Sequence, residues 1–149
     1  IAAASPWSKR SDSSAGHAIP DNVTIRRLDL FELRALYATS SFVVMPLFEV
    51  DFQAGITTIL EAMSMERAIV CSRTAGQIDT IVDGETGVYV EPGDAAALRA
   101  AIEGLLADPA RTEQLGRNAR RWVVANADID RYADAVASIV AGASLSSGS

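Results

Sequence analysis

Residues 53–63, QAGITTILEAM, decide how the rest of this chain is read. At about 100° per residue, Ile56, Ile59, Leu60 and Met63 cluster on one face of a helix, whereas Thr57 and Glu61, four apart, share another. The spacing predicts a helix from Gly55 to about Met65. On either side stand short continuous apolar runs, SFVVMPL at 41–47 and AIVCS at 68–72. Such runs mark strands covered on both faces, the first stopped by Pro46. Strand, helix and strand in this order form the unit from which parallel sheets are built.

The same alternation extends outward. VTIRRL at 23–28 is β-branched and alternating and is expected to be a strand. LFELRALYAT follows with Leu30, Leu33, Leu36 and Tyr37 at helical spacing. Beyond AIVCS, GQIDTIV is expected to form a short helix, DGETG a turn, and residues 87–91 a further strand. That makes four strands, or five with a stump at Ile1–Ala4, in a doubly wound parallel sheet. The last third reads as helical. Asp94 caps a helix carrying Leu98, Ile102, Leu105 and Leu106; Pro109 opens a second to about Asn126; Asp128 or Asp130 opens a third through Val140. Residues 1–21, rich in Ser, Gly and Pro, are expected to be irregular. Residues 22–142 form the α/β domain, and 143–149 are expected to be a loosely held tail.

Size and composition fit this picture. The chain has 149 residues, 49% of them hydrophobic, enough for one domain with a real core. Its first residue is Ile1 and no signal peptide is evident, so a fragment incomplete at its N-terminus is expected. The net charge of −6 argues against a nucleic-acid partner. Arg117, Arg120 and Arg121 make one local basic cluster, best read as a solvated helix face. A single cysteine, Cys71, and a single histidine, His17, leave no intrachain disulfide, no Cys-based zinc site and no His cluster, which points to a cytoplasmic protein. No apolar run approaches the roughly 20 residues that span a bilayer.

In an open parallel sheet, ligands bind outside the carboxyl ends of strands. Two loops occupy that place, LFEVDFQAG after the Pro46 strand and RTAGQ after the Cys71 strand, and a crevice is expected between them. The unpaired N–H groups of Gly55, Ile56 and Thr57 could receive phosphate oxygens there, with Gly55 permitting close approach. Glu61, one turn on and off the core stripe, could accept hydrogen bonds from vicinal hydroxyls such as those of a ribose. Read without a ligand, an exposed Glu and a glycine before a helix need no function at all.

A resemblance weighs in. The run FELRALYATSSFVVMPLFEVDFQAGITTILEAMSMERAIVCSRTAGQIDTIVDGETGVYVEPGDAAALRAAIEGLLADP resembles the C-terminal, donor-binding domain of GT-B glycosyltransferases, specifically the retaining enzymes of family 4. The likeness covers roughly Asn22 to Ile139, and LEAM, IVDGETGVYVEPGD and LLADP carry it by their order and spacing. It implies a Rossmann-like fold binding a nucleoside diphosphate sugar for retaining transfer of a hexose to an acceptor hydroxyl. Glu61 matches the second acid of the family's E-x7-E motif, which holds the ribose hydroxyls. Gln53 stands where the first acid, a contact of the donor sugar, usually lies, and Asp51 or Glu49 could substitute for it. By the same resemblance Gly76 and Gln77 lie near the donor, and Arg27, within Arg26 to Leu28, lies where the base rests. Asp79 and Asp83 read as structural. The resemblance also implies that the acceptor domain and the basic residues facing the diphosphate lie outside this chain, that membrane contact would be peripheral and through that absent domain, and that this chain alone is a poor catalyst. No metal or other cofactor is expected. The alternative is a non-catalytic module that binds nucleotide or a partner domain.

Overall fold

The computed structural model describes residues 2–4, 20–49, 51–77 and 79–146. Most of the 1–21 segment, with His17, and the end of the tail lie outside the described residues. The chain divides into two compact units, Ile1–Thr39 and Ser40–Ser149.

In the first unit, β1 (Ala2–Ala4) pairs in parallel with β2 (Ile25–Arg27), and α1 (Leu30–Thr39) follows. The expected strand stump is therefore real. α1 begins with a reciprocal capping box: Glu32 N–H donates to Asp29 Oδ1 at 2.9 Å and Asp29 N–H to Glu32 Oε2 at 2.9 Å. All three residues of β2 are exposed, so its alternating pattern does not correspond to a covered face in this unit.

The second unit holds β3 (Phe42–Met45), α2 (Ile56–Ser64), β4 (Ala68–Ser72), β5 (Gly87–Val90), α3 (Ala95–Ala107), α4 (Pro109–Asn126) and α5 (Ile129–Ser146). The three strands form a parallel sheet in the order β3-β4-β5. β4 is central and buried at every position, as its unbroken apolar run requires. Val70 and Ala68 pack with Val90, Leu105 and Leu115, joining the sheet to α3 and α4. Ile59, Ala62 and Met63 of α2 are fully buried. Each large apolar side chain so covered contributes about 1.5–3 kcal/mol. Gly116 lets α4 approach the turn after α2: a Cβ there would sit inside contact distance of the Glu66 carbonyl.

Two expectations change. GQIDTIV is not a helix; one 3-10 turn, Ala75–Gln77, is followed by turns. The helix cannot form because Gly76 is pressed on the backbone of Phe52 and Gln53, while Thr86 Oγ1 accepts from Val82 N–H at 2.8 Å and ties down the other end. The last helix runs to Ser146 rather than ending near Val140, so part of the expected tail is helical.

Candidate functional site

The end of α2 nearest the carboxyl edge of β3 differs from the other helix starts. Asp94 Oδ1 accepts from Ala97 N–H at 2.8 Å, Asp108 Oδ1 from Arg111 N–H at 2.9 Å, and Asp128 Oδ1 from Asp130 N–H at 3.0 Å. With the Asp29 box, a carboxylate caps α1, α3, α4 and α5. α2 has Gly55 at its N-cap, in the left-handed region at φ 74°, and no side-chain cap. Leaving out the carboxylate leaves the positive end of the helix dipole and its first N–H groups open to an anion.

Around this mouth, Gly55, Thr57 and Gln53 are exposed and Ile56 is half-buried. Glu61, in the second turn, is half-buried and off the fully buried stripe of Ile59, Ala62 and Met63. Glu49 is tied elsewhere: its Oε1 accepts from Ala75 N–H at 3.2 Å. Asp51 is exposed.

The loops after β3 and β4 touch at several points, forming a seam below the expected crevice. Leu47 N–H donates to Ser72 Oγ at 3.0 Å. Gly76 lies so close to Phe52 that any Cβ would enter its carbonyl group. Gln77, 1% exposed, donates from Nε2 to the Ala54 carbonyl, and its own carbonyl accepts from the Tyr89 hydroxyl. The missing side chain at Gly76 lets two backbones touch, and the Gln77 amide reaches across. Gln77 is thus beside the α2 mouth but behind its surface. Among the described residues, Gln77 Oε1 and Thr74 Oγ1 are buried without a partner.

Tyr89 is held in turn. Arg73 stacks over its ring at 4.5 Å, and Asp83 binds Arg73 through Oδ2 at 2.6 Å while Oδ1 accepts from Tyr89 N–H at 2.9 Å. Asp83 is therefore structural, as expected. Burial pushes the Tyr89 hydroxyl above its ordinary pKa, which keeps it a proton donor toward Gln77. Burial also raises Cys71 to about 11, so it remains a thiol. Neither Tyr89 nor Arg73 was singled out by the sequence; Tyr89 is twelve residues from Gln77, and no local spacing links them.

In the first unit, Arg26 and Leu28 line a cleft of about 510 Å³ between β2 and α1, with Glu32 and Leu36 opposite. Arg27 is exposed and is not among the lining residues. The basic cluster of α4 is engaged in pairing: Arg117 with Gln114 at 2.9 Å, Arg120 with Glu66 at 3.8 Å, Arg121 with Asn118 at 2.6 Å. Among the described residues no group of three His, Cys, Asp or Glu could hold a metal ion, and no helix is long and apolar enough to cross a membrane. One Asp-x-Asp does occur, Asp128-Ile129-Asp130, and Asp128 is occupied in capping α5.

Comparison with known proteins agrees with the fold. A family model described as glycosyl transferases group 1 matches residues 5–108. A lipopolysaccharide core biosynthesis mannosyltransferase, LpcC of Rhizobium leguminosarum bv. viciae, is 42% identical over 82 residues, 55% of this chain and 23% of its own. The structure of sucrose-phosphate synthase from Thermosynechococcus elongatus superposes with a TM-score of 0.73 at 31% identity, over 85% of this chain and 31% of that one. HepE of Anabaena, solved in complex with UDP-glucose, shares the fold at 19% identity, with a TM-score of 0.71 over 82% of this chain and 33% of its own. The chain thus spans about a quarter to a third of these three proteins, and the matches lie in the C-terminal portion of their chains.

Proposed function

The chain belongs to the glycosyl transferases group 1 family, and from that premise we propose that it is the donor-binding part of a retaining hexosyltransferase that uses a nucleoside diphosphate sugar. The observation that carries this reading is the uncapped, glycine-led start of α2 with a half-buried carboxylate one turn beyond it. The N–H groups of Gly55, Ile56 and Thr57 receive the diphosphate, Glu61 holds the ribose hydroxyls, and Gln53 contacts the sugar. Gly76 and Gln77 shape the loop beside them, and Arg27 belongs to the stretch that meets the base. The bond from the anomeric carbon to the diphosphate oxygen breaks as the bond to the acceptor oxygen forms, and the acceptor hydroxyl's proton passes to the departing diphosphate oxygen. Negative charge then grows on the diphosphate, where the helix N-terminus offsets it. The acceptor site and further positive charge belong to another domain, the sugar nucleotide is substrate rather than cofactor, and no metal is assigned a role. A cytoplasmic setting suits that donor, with any membrane contact made through the other domain.

Gln53 favours a second reading. A neutral amide stands where the resemblance places an acid, and a non-catalytic nucleotide-binding module would tolerate that change. Titration with uridine, guanosine and adenosine diphosphates separates a donor site, which gives saturable binding with a preference for one base, from a pure interaction module, which gives none; sugar transfer by the longer protein separates a donor site from a nucleotide-binding module without catalysis. Glu61→Ala is then expected to weaken the preferred nucleotide by about 1–3 kcal/mol, the size of a lost charged hydrogen bond. Unchanged affinity in a folded variant removes Glu61 from the site.

A further inference from the structure

We propose that Gln77 is a positioning residue that sets the mouth of α2 from behind, fixing the N–H groups that meet the anion without itself touching the ligand. The proposal rests on the donor-binding reading for its ligand and adds to it the part that holds the site in shape.

In a regular helix the Ala54 carbonyl would accept from the N–H four residues on. Here it accepts from Gln77 Nε2 instead, and the first regular bond closes on Gly55, whose carbonyl accepts from Ile59 N–H at 3.1 Å. The Gln77 tie therefore holds Ala54 outside the helix. Ala54 N–H turns back to the Phe52 carbonyl at 2.8 Å, and Gly55 takes up its left-handed conformation. The directions of the next N–H groups follow from that turn.

Gln77 can act as a fixed point because it is held on several sides. Its N–H donates to the Thr74 carbonyl at 3.0 Å and its carbonyl accepts from Tyr89, which Arg73 and Asp83 clamp. Gly76 brings the turn against Phe52 and Gln53, where a Cβ would stand 3.0 Å from Gln53 N as well as inside the Phe52 carbonyl. The amide has one workable orientation, since turning it over would set Oε1 against the Ala54 carbonyl, acceptor against acceptor. Its Oε1 is buried without a partner among the described residues, and an apolar side chain of similar size would avoid that penalty. What the apolar side chain lacks is the N–H that reaches Ala54.

Two variants test this, Gln77→Leu, which removes the tie, and Tyr89→Phe, which removes the outer support while keeping the ring under Arg73. Amide hydrogen exchange is measured without ligand, and the chain is titrated with the uridine, guanosine and adenosine diphosphates and with the matching nucleosides. Gln77→Leu should speed exchange at Ala54 and Ile59, whose N–H groups are bonded to the Phe52 and Gly55 carbonyls, by about tenfold relative to the amides of α4. It should weaken diphosphate binding by about tenfold and leave the nucleoside unchanged, a split that a general loss of structure would not produce. Tyr89→Phe should move both readouts in the same direction by about threefold, and it decides the matter if Gln77→Leu fails to fold. Exchange at Ala54 and Ile59 within twofold of the parent, or equal losses for nucleoside and diphosphate, overturns the proposal. A parent that binds no diphosphate refutes the donor-binding reading instead, and the exchange comparison still decides the role of Gln77.

Discussion

At the mouth of α4, Asp108 accepts from Arg111 N–H and Pro109 takes the first turn, so one donor is satisfied and another is missing altogether. At the mouth of α2, Gly55 supplies neither device. Both helices pack against β4 and each other, so burial does not explain the difference. An Asp cap is worth about 1 kcal/mol over Ala and about a few tenths over Gly, and α2 forgoes that difference while sharing the same core. A helix start that gives up local stability keeps its positive end available, and this is the physical content of the donor-binding reading.

Closing that mouth is the most damaging change to expect. Gly55→Asp introduces a carboxylate at a position whose left-handed backbone Asp tolerates better than most residues, and the added Cβ meets only the flexible end of Met45. A unit charge about 5 Å from a bound phosphate costs on the order of 3 kcal/mol at an effective dielectric near 20. Nucleoside diphosphate affinity, read by calorimetric titration, should fall by roughly a hundredfold while the circular dichroism of the helices is retained. Affinity equal to that of the parent would place the anion elsewhere.

The parts of this contrast differed in how plainly the sequence carried them. AIVCS reads as a covered strand because all five residues are buried, and nothing outside the run is needed to see it. The Asp94 and Asp108 caps are similarly local, since each donor lies three residues from its acceptor. Gly55 as a helix start was legible for the same reason. The seam was not. Gln77 reaches 23 residues back to Ala54, and Ala75 reaches 26 back to Glu49, distances over which periodicity is silent. GQIDTIV has helical spacing, but the contact between Gly76 and Phe52 is tertiary and overrides it. Gln53 gained its proposed role from a resemblance, whereas the place of Glu61, eight residues on and one turn beyond the helix start, already suggested its own; the structure supplies the helix on which Glu61 sits and the exposed loop that carries Gln53.

Alkaline pH separates the two mouths by a smaller amount. Burial raises Cys71 from 9.0 to about 11, and it raises Tyr89 as well, both on the seam side of the sheet. A group whose pKa is higher when folded gives its full stability below the unfolded value and loses it as pH climbs through the folded one. Stability should hold to pH 9.0 and fall by on the order of 2 kcal/mol toward pH 11, measured as the urea midpoint at each pH. Cys71→Ala should flatten the decline; an equally steep fall in that variant assigns the loss to another group.

The smallest effect concerns the capped helices themselves. Asp108→Ala removes the acceptor of Arg111 N–H but leaves the Asp108 backbone carbonyl, which still accepts from Thr112 N–H at 3.0 Å and from Thr112 Oγ1 at 3.0 Å. Thr112 Oγ1 also donates to the Leu105 carbonyl at 2.7 Å, so the corner between α3 and α4 stays pinned. The cost should therefore stay near about 1 kcal/mol, seen as a drop in thermal midpoint, with nucleotide affinity unchanged. That second half is the more informative. A capping carboxylate and an open mouth are alternatives at a helix start, so removing the one at α4 should leave the anion on α2. If Asp108→Ala shifted nucleotide binding as far as Gly55→Asp does, the two mouths would not differ in the way that gives α2 its role.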